Sequence, residues 1–198
     1  MSPQPPAGTV AAPPPPSPPG PTTYDVQQLP ETRGTVQRFT LTPRGDLDGF
    51  VLTAGTDVHL PPHLSTQLAA AVRPGDSVLV RGYRLATVPL VVAAALTDRA
   101  TNETVVDRGS PPPGFDPPPP PPGVPTLGAQ QISLNGRVQT SIYGPAGDLN
   151  GPVLDDGTIA RPAPPTAYQA ASLLAPGQSV SVQGWELSTA YGHRRSDD

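Results

Sequence analysis

From Val36 to Leu41 β-branched and apolar residues follow one another until the turn-forming triplet Pro43-Arg44-Gly45, and this pattern predicts a first strand. Phe50, Val51 and Leu52 make a second, preceded by Asp48-Gly49 as a bulge or positive-φ turn. Thr56 to Leu60 then alternates, with Val58 and Leu60 on one face and Asp57 and His59 on the other, as a half-buried third strand does. Pro61-Pro62 stops it. Leu64, Leu68, Ala71 and Val72 recur at the spacing of one helical face, which predicts a helix of about ten residues ended by Arg73-Pro74-Gly75. Val78 and Val80 belong to a fourth strand and Leu90 to Leu96 to a fifth, with Val105-Val106 as a hairpin return after Thr101-Asn102.

Most of this pattern is used twice. A shift of 102 positions takes Gly34-Thr35-Val36-Gln37 to Gly136-Arg137-Val138-Gln139 and Gly45-Asp46-Leu47-Asp48-Gly49 to Gly147-Asp148-Leu149-Asn150-Gly151. It also takes Pro74-Gly75-Asp76-Ser77-Val78 to Pro176-Gly177-Gln178-Ser179-Val180. Roughly 23 of about 60 positions agree without a gap, which is the mark of an internal repeat. The second helix is expected over Thr166 to Leu174, with its stop at Ala175-Pro176-Gly177.

The 32 prolines and 20 glycines sharpen the boundaries, because they pile up before residue 24 and between 111 and 125. The predicted organisation is a disordered Pro-rich tail over 1–30, one domain over 31–109, a polyproline linker over 110–129 and a second domain over 130–198. Six consecutive prolines, Pro117 to Pro122, favour an extended polyproline II spacer. At ~3.1 Å per residue it spans on the order of 45 Å, so the two domains are expected to stand apart and tumble independently.

Strand, strand, strand, helix, strand, strand is the layout of the OB-fold, a small Greek-key barrel. The fold class read from sequence is all-β with one short helix per domain: two OB-like five-stranded barrels, the second incomplete, joined by the polyproline linker. The incompleteness follows from the end of the second copy. Shifted by 102, Leu90 to Leu96 should recur at 192 to 198, where Gly192-His193-Arg194-Arg195-Ser196-Asp197-Asp198 is polar throughout. The second barrel is therefore expected to lack its closing strand, to be the less stable one and to self-associate through the edge left open.

The repeated Gly-Asp-Leu-(Asp/Asn)-Gly and Pro-Gly-x-Ser-Val-x-Val-x-Gly patterns, with Asp57-Val58-His59-Leu60-Pro61-Pro62-His63-Leu64 in the first copy, resemble an uncharacterised bacterial family of tandem OB-like proteins. The resemblance covers about residues 31 to 192. It implies a barrel pair and an exported, periplasmic protein, and supplies no activity. Met1-Ser2-Pro3-Gln4-Pro5-Pro6 lacks the basic and apolar regions of a signal peptide, so export requires a signal upstream of this start, and the chain as it stands reads as cytoplasmic.

Charge and residue chemistry narrow the function. The net charge of −4 gives no general attraction to phosphate backbones or anionic membranes, and all twelve basic residues are arginine. Without cysteine there are no disulfides, thiolate metal sites or thiol nucleophiles. Leu90 to Leu96 is the longest apolar run, far short of the ~20 residues of a spanning helix.

His59 and His63 have metal-ligand spacing, but Leu60-Pro61-Pro62 forbids the helix that would align them. Asp46-x-Asp48-Gly49 opens like a calcium loop yet lacks the later ligands, and turn chemistry accounts for it. Asn102-Glu103-Thr104 spells a sequon and reads as a reverse turn.

No nucleophile, base and orienting group converge, so neither catalysis nor a cofactor is expected. An OB-fold binds oligonucleotides by default through strands two and three, but that face here offers Phe50, Thr53, Asp57 and His59, then Leu154, Asp155, Asp156 and Arg161, neither basic nor aromatic. The side chains available for a ligand are Phe50, His59, Arg81, Tyr83 and Trp185. The expectation is a non-enzymatic binding or structural module for an unknown protein or small ligand, with single-stranded nucleic acid as the alternative.

Overall fold

Eleven strands and two short helices make up the computed structural model of the chain, which describes residues 25–42, 45–109, 130–162, 164–189 and 192–196. The Pro-rich tail up to residue 24 and the proline run expected to link the domains lie outside the described residues. In the first domain β1 (Glu31–Leu41), β2 (Leu47–Leu52), β3 (Asp57–His59), β4 (Ser77–Arg84) and β5 (Leu90–Asp98) pair in the order β3-β2-β1-β4-β5. β3 also pairs with β5 in parallel, from Asp57↔Leu90 to His59↔Val92, and so closes five strands into a barrel. β6 (Thr104–Val106) continues along the far half of β5, from Thr97↔Thr104 to Ala95↔Val106.

The turn into β6 is built locally: the Asp98 carboxylate accepts from the amides of Ala100 and Thr101 at 2.6 and 3.1 Å, and Asn102 takes a positive φ of 59°. The sequon is therefore a reverse turn by construction.

A 3-10 turn at Pro62–Leu64 leads into α1 (Ser65–Ala71), which lies between β3 and β4. Leu64, Leu68, Ala71 and Val72 are all buried, so the helical spacing read from sequence does mark the core face. They join Val36, Leu41, Phe50, Leu52, Val58, Val78, Val80, Val91 and Leu96 in one apolar cluster.

The second domain repeats the ring with β7 (Gln130–Tyr143), β8 (Leu149–Leu154), β9 (Ile159–Arg161), β10 (Ser179–Thr189) and β11 (Gly192–Ser196), in the order β10-β11-β9-β8-β7. α2 (Pro164–Gln169) starts and stops earlier than the periodicity predicted, and the chain reaches Leu174 through turns. The expectation of a missing closing strand is corrected here. β11 pairs with β10 in antiparallel fashion and with β9 in parallel. A strand ladder needs backbone donors and acceptors, which a polar segment supplies as well as an apolar one.

The glycine in each Asp/Asn-Gly pair is a backbone requirement. Gly49 and Gly151 have φ of 152° and 129°, and a Cβ at either would collide with a carbonyl oxygen across the ladder, that of Val58 or Ala160. Gly151→Ala is therefore expected to destabilise the second domain by at least ~1–2 kcal/mol from the backbone conformation alone. Urea unfolding would show this as a lowered midpoint at unchanged slope.

Candidate functional site

The two barrels meet along a face built from β1, β2 and β3 in the first and β7, β8 and β9 in the second. β2 is buried along its whole length, which means on both faces. Phe50 and Leu52 fill the barrel interior, while Val51 packs outward with Ile142, Val153 and Ile159 of the second barrel in a separate apolar cluster. This corrects the expectation of independent barrels. A Phe-Val-Leu run buries both faces only if something covers the outer one, and the partner barrel does so.

Polar groups frame this patch. Asp57, 2% exposed, accepts a hydrogen bond on Oδ2 from the Tyr143 amide at 2.8 Å. Arg161 donates through Nη2 to the Leu41 carbonyl at 2.6 Å and to Asp48 Oδ2 at 2.9 Å, an ion pair buried on both sides. With its amide oxygen turned toward the donors, Asn150 accepts from Arg161 Nη1 at 3.1 Å and from the Gly144 amide at 3.2 Å. The Thr140 hydroxyl donates to the Gly55 carbonyl at 3.4 Å, and the Arg38 guanidinium lies in the space left by the missing side chain of Gly157.

Positions 38 and 140, and 55 and 157, are both 102 apart, so these last two contacts are one contact made twice. The seam has an approximate two-fold axis, with each barrel presenting the same patch to the other.

Burial sets the proton affinities in the seam. Desolvation pushes the Asp57 carboxyl up to about 7, with the nearby Asp48 charge adding to the effect and the Tyr143 amide and Arg161 opposing it. Desolvation lowers His59, with Arg161 acting in the same sense and Asp48 against it. Both groups are thus driven toward their neutral forms, beside an Asp48–Arg161 pair that is already balanced.

The residues picked from sequence do not converge. Phe50 is wholly buried in the core, and His59 lies on β3 within the seam, so neither faces outward as expected. Arg81 pairs with Glu31 and donates to the Gln27 carbonyl at 2.8 Å on the outer side of the first barrel, with Tyr83 half exposed on the same strand. Trp185 holds a register position in β10 opposite Gln131 and Ser196. His63 sits 3.6 Å from the Asp107 carboxylate, away from the seam strand that carries His59.

Sequence reasoning missed Asp48, Asp57 and Arg161 as a linked set. The one available signal was a charged residue, Arg161, standing in the second copy where the first has His59. Among the described residues no group of three or more His, Asp or Glu side chains is placed to hold a metal, and no helix is long and apolar enough to cross a membrane. No family model matches the chain, and no curated protein or solved structure matches it.

Two outcomes follow from the seam. Arg161→Met leaves Asp48 as an uncompensated buried charge, so a loss of about 3–5 kcal/mol is expected from thermal or urea unfolding. The pH dependence separates Asp57 from His59. Because Asp57 has a raised folded value, its contribution is full below its unfolded pKa of 3.8 and is lost as pH rises to about 7. His59 is lowered from 6.5, so its contribution is full above that value and is lost as pH falls below it. The two slopes oppose each other. Relative to wild type, Asp57→Asn should gain stability as pH rises from about 4 to about 7, and His59→Gln should lose it as pH approaches 6.5 from below, each by up to ~1.4 kcal/mol per pH unit. Parallel stability–pH profiles for both variants and wild type would show that the seam does not hold these groups neutral.

Proposed function

We propose that this chain is a non-enzymatic binding or structural module made of two duplicated OB-like barrels that clasp each other through their strand-two and strand-three faces. What supports the duplication is the agreement of three things at one offset of 102: the sequence pattern, the ring order with a helix between the third and fourth strands, and the paired contacts across the seam. The observation that carries the functional reading is the mutual burial of Val51, Ile142, Val153 and Ile159, framed by the Asp57–Tyr143 and Arg161–Asp48 bonds.

This clasp takes up the face by which an OB barrel ordinarily stacks bases, so single-stranded nucleic acid has no platform there. With a net charge of −4 the chain also has no general attraction to a phosphate backbone. A ligand must be taken on the outer strands or edges, and the clasp supplies a rigid mount for them.

Two measurements on the full chain test this. Backbone amide relaxation should return one rotational correlation time for residues of both barrels; two separate times would end the clasp. Fluorescence anisotropy with a labelled single-stranded oligonucleotide should show no binding at micromolar protein and low ionic strength. Salt-dependent binding there would restore the nucleic-acid reading.

A further inference from the structure

The apolar centre of the seam does not distinguish one barrel from the other. Val51 and Val153 lie 102 positions apart in one cluster, and valine meets valine as well from two first barrels as from a first and a second. The charged groups around that centre are different. Asp48 of the first barrel is buried against Arg161 of the second, Oδ2 to Nη2 at 2.9 Å. Its other oxygen, Oδ1, has no hydrogen-bond partner, so the guanidinium is the compensation this carboxylate has. Arg161 is aimed by two further acceptors, the Leu41 carbonyl at 2.6 Å and, from its own barrel, the Asn150 amide oxygen at 3.1 Å.

A second pair runs in the opposite sense. The Arg38 guanidinium of the first barrel rests on the turn at Gly157 of the second. Burial lowers its proton affinity, and the charge of Asp156, the residue before that glycine, acts against the lowering. Asp156 is held in place by Thr158, whose amide and hydroxyl donate to its two carboxylate oxygens at 2.8 and 2.9 Å. The first barrel thus brings an acid and a base to the seam, and the second a base and an acid to meet them.

The offset of 102 shows what any other pairing would bring together. Across the approximate two-fold axis, Asp48 and Arg161 correspond to Asn150 and His59, and Arg38 and Asp156 correspond to Thr140 and Ala54. The equivalents of the four charged groups are therefore an amide, a hydroxyl, a methyl and an imidazole that burial holds toward its neutral form. Two first barrels joined by the same patch would set Asp48 against His59 and Arg38 against Ala54, and would bring two copies of Asp57 to a patch that now has one. Two second barrels would set Arg161 against Asn150 and Asp156 against Thr140. A buried charge without its partner is strongly destabilising, and either symmetric pairing would incur that twice.

We propose that the Asp48–Arg161 pair, seconded by Arg38 and Asp156, is the recognition element of the seam: the first barrel's face accepts a face with a guanidinium and a carboxylate in the places of Arg161 and Asp156, and rejects a second copy of itself. This rests on the clasped-barrel reading and names the partner class of the clasp. The chain therefore closes on itself and does not associate with other copies through a patch whose apolar part would allow it. Specificity lies in the difference between two pairings; the valines supply what the pairings share and the charges supply the difference. Of the two pairs Asp48–Arg161 is the more deeply buried, with side chains 9% and 8% exposed, and it decides the match.

The test uses full chains with one charge reversed in each. Asp48→Arg sets two guanidinium groups against each other and Arg161→Asp sets two carboxylates, so each chain should lose the single rotational correlation time of a closed seam and show two shorter ones. Each alone should stay monomeric in light scattering, because neither of its faces matches a face of another copy. Mixed in equal amounts, the two variants should form a heterodimer of doubled mass, since the unaltered Asp48 of one chain meets the unaltered Arg161 of the other and the two reversed positions meet each other. Both reversals in one chain should close the seam again and return the single correlation time.

A mixture that stays monomeric would overturn the proposal, as would a single variant that dimerises on its own. Should the single variants not fold, the double variant decides: a folded chain tumbling as one body supports the match, and an unfolded chain or one with two correlation times overturns it. Single variants that keep one correlation time, like wild type, would remove the recognition element and leave the clasp standing. Two correlation times in wild type would end the clasp and the recognition element together.

Discussion

A strand that is apolar on both faces must be covered on both, and in this chain that constraint falls on β2. Its inner side chains complete the first barrel. Its outer one, Val51, has no place in that barrel and is buried only because Val153, Ile142 and Ile159 come from the other side. Val51 and Val153, 102 positions apart, lie in the same apolar cluster, so the patch is complementary to itself. The glycines at 55 and 157 then let a side chain of the opposite barrel approach each turn closely.

Polar groups inside the seam give it direction where apolar contact alone would not. Val against Val tolerates sliding, whereas Arg161 reaching both the Leu41 carbonyl and Asp48 allows one register. The same burial that fixes the register makes charge expensive, so Asp57 and His59 are held toward neutrality by opposite shifts with a common cause. At the positions 102 residues beyond Asp57 and His59 the second domain carries Ile159 and Arg161, so the two sides of the seam differ in charge.

The barrels also differ in how completely their walls are paired. Five strands close each ring; among the described residues β5 is nine residues long and continued by β6, while β11 has five and pairs with β10 from Trp185 to Thr189.

Local pattern alone determined much of this protein: most strand positions, the helix face of Leu64, Leu68, Ala71 and Val72, and the turn glycines. Each depends on contacts a few residues apart or on comparison of one segment with another, and each is written in alternation, helical spacing or turn chemistry. The fate of outward-facing residues was not written there. Alternation placed Asp57 and His59 opposite Val58 and Leu60, but whether that second face meets water or another barrel depends on what docks against it. The polar segment from Gly192 likewise argued against a strand, because hydrophobic pattern reports burial and not backbone pairing. Only the tertiary structure decided that the barrels clasp, that Phe50 is buried in the core and that His59 lies half-buried in the seam, since all three depend on distant segments meeting at a register that periodicity does not encode.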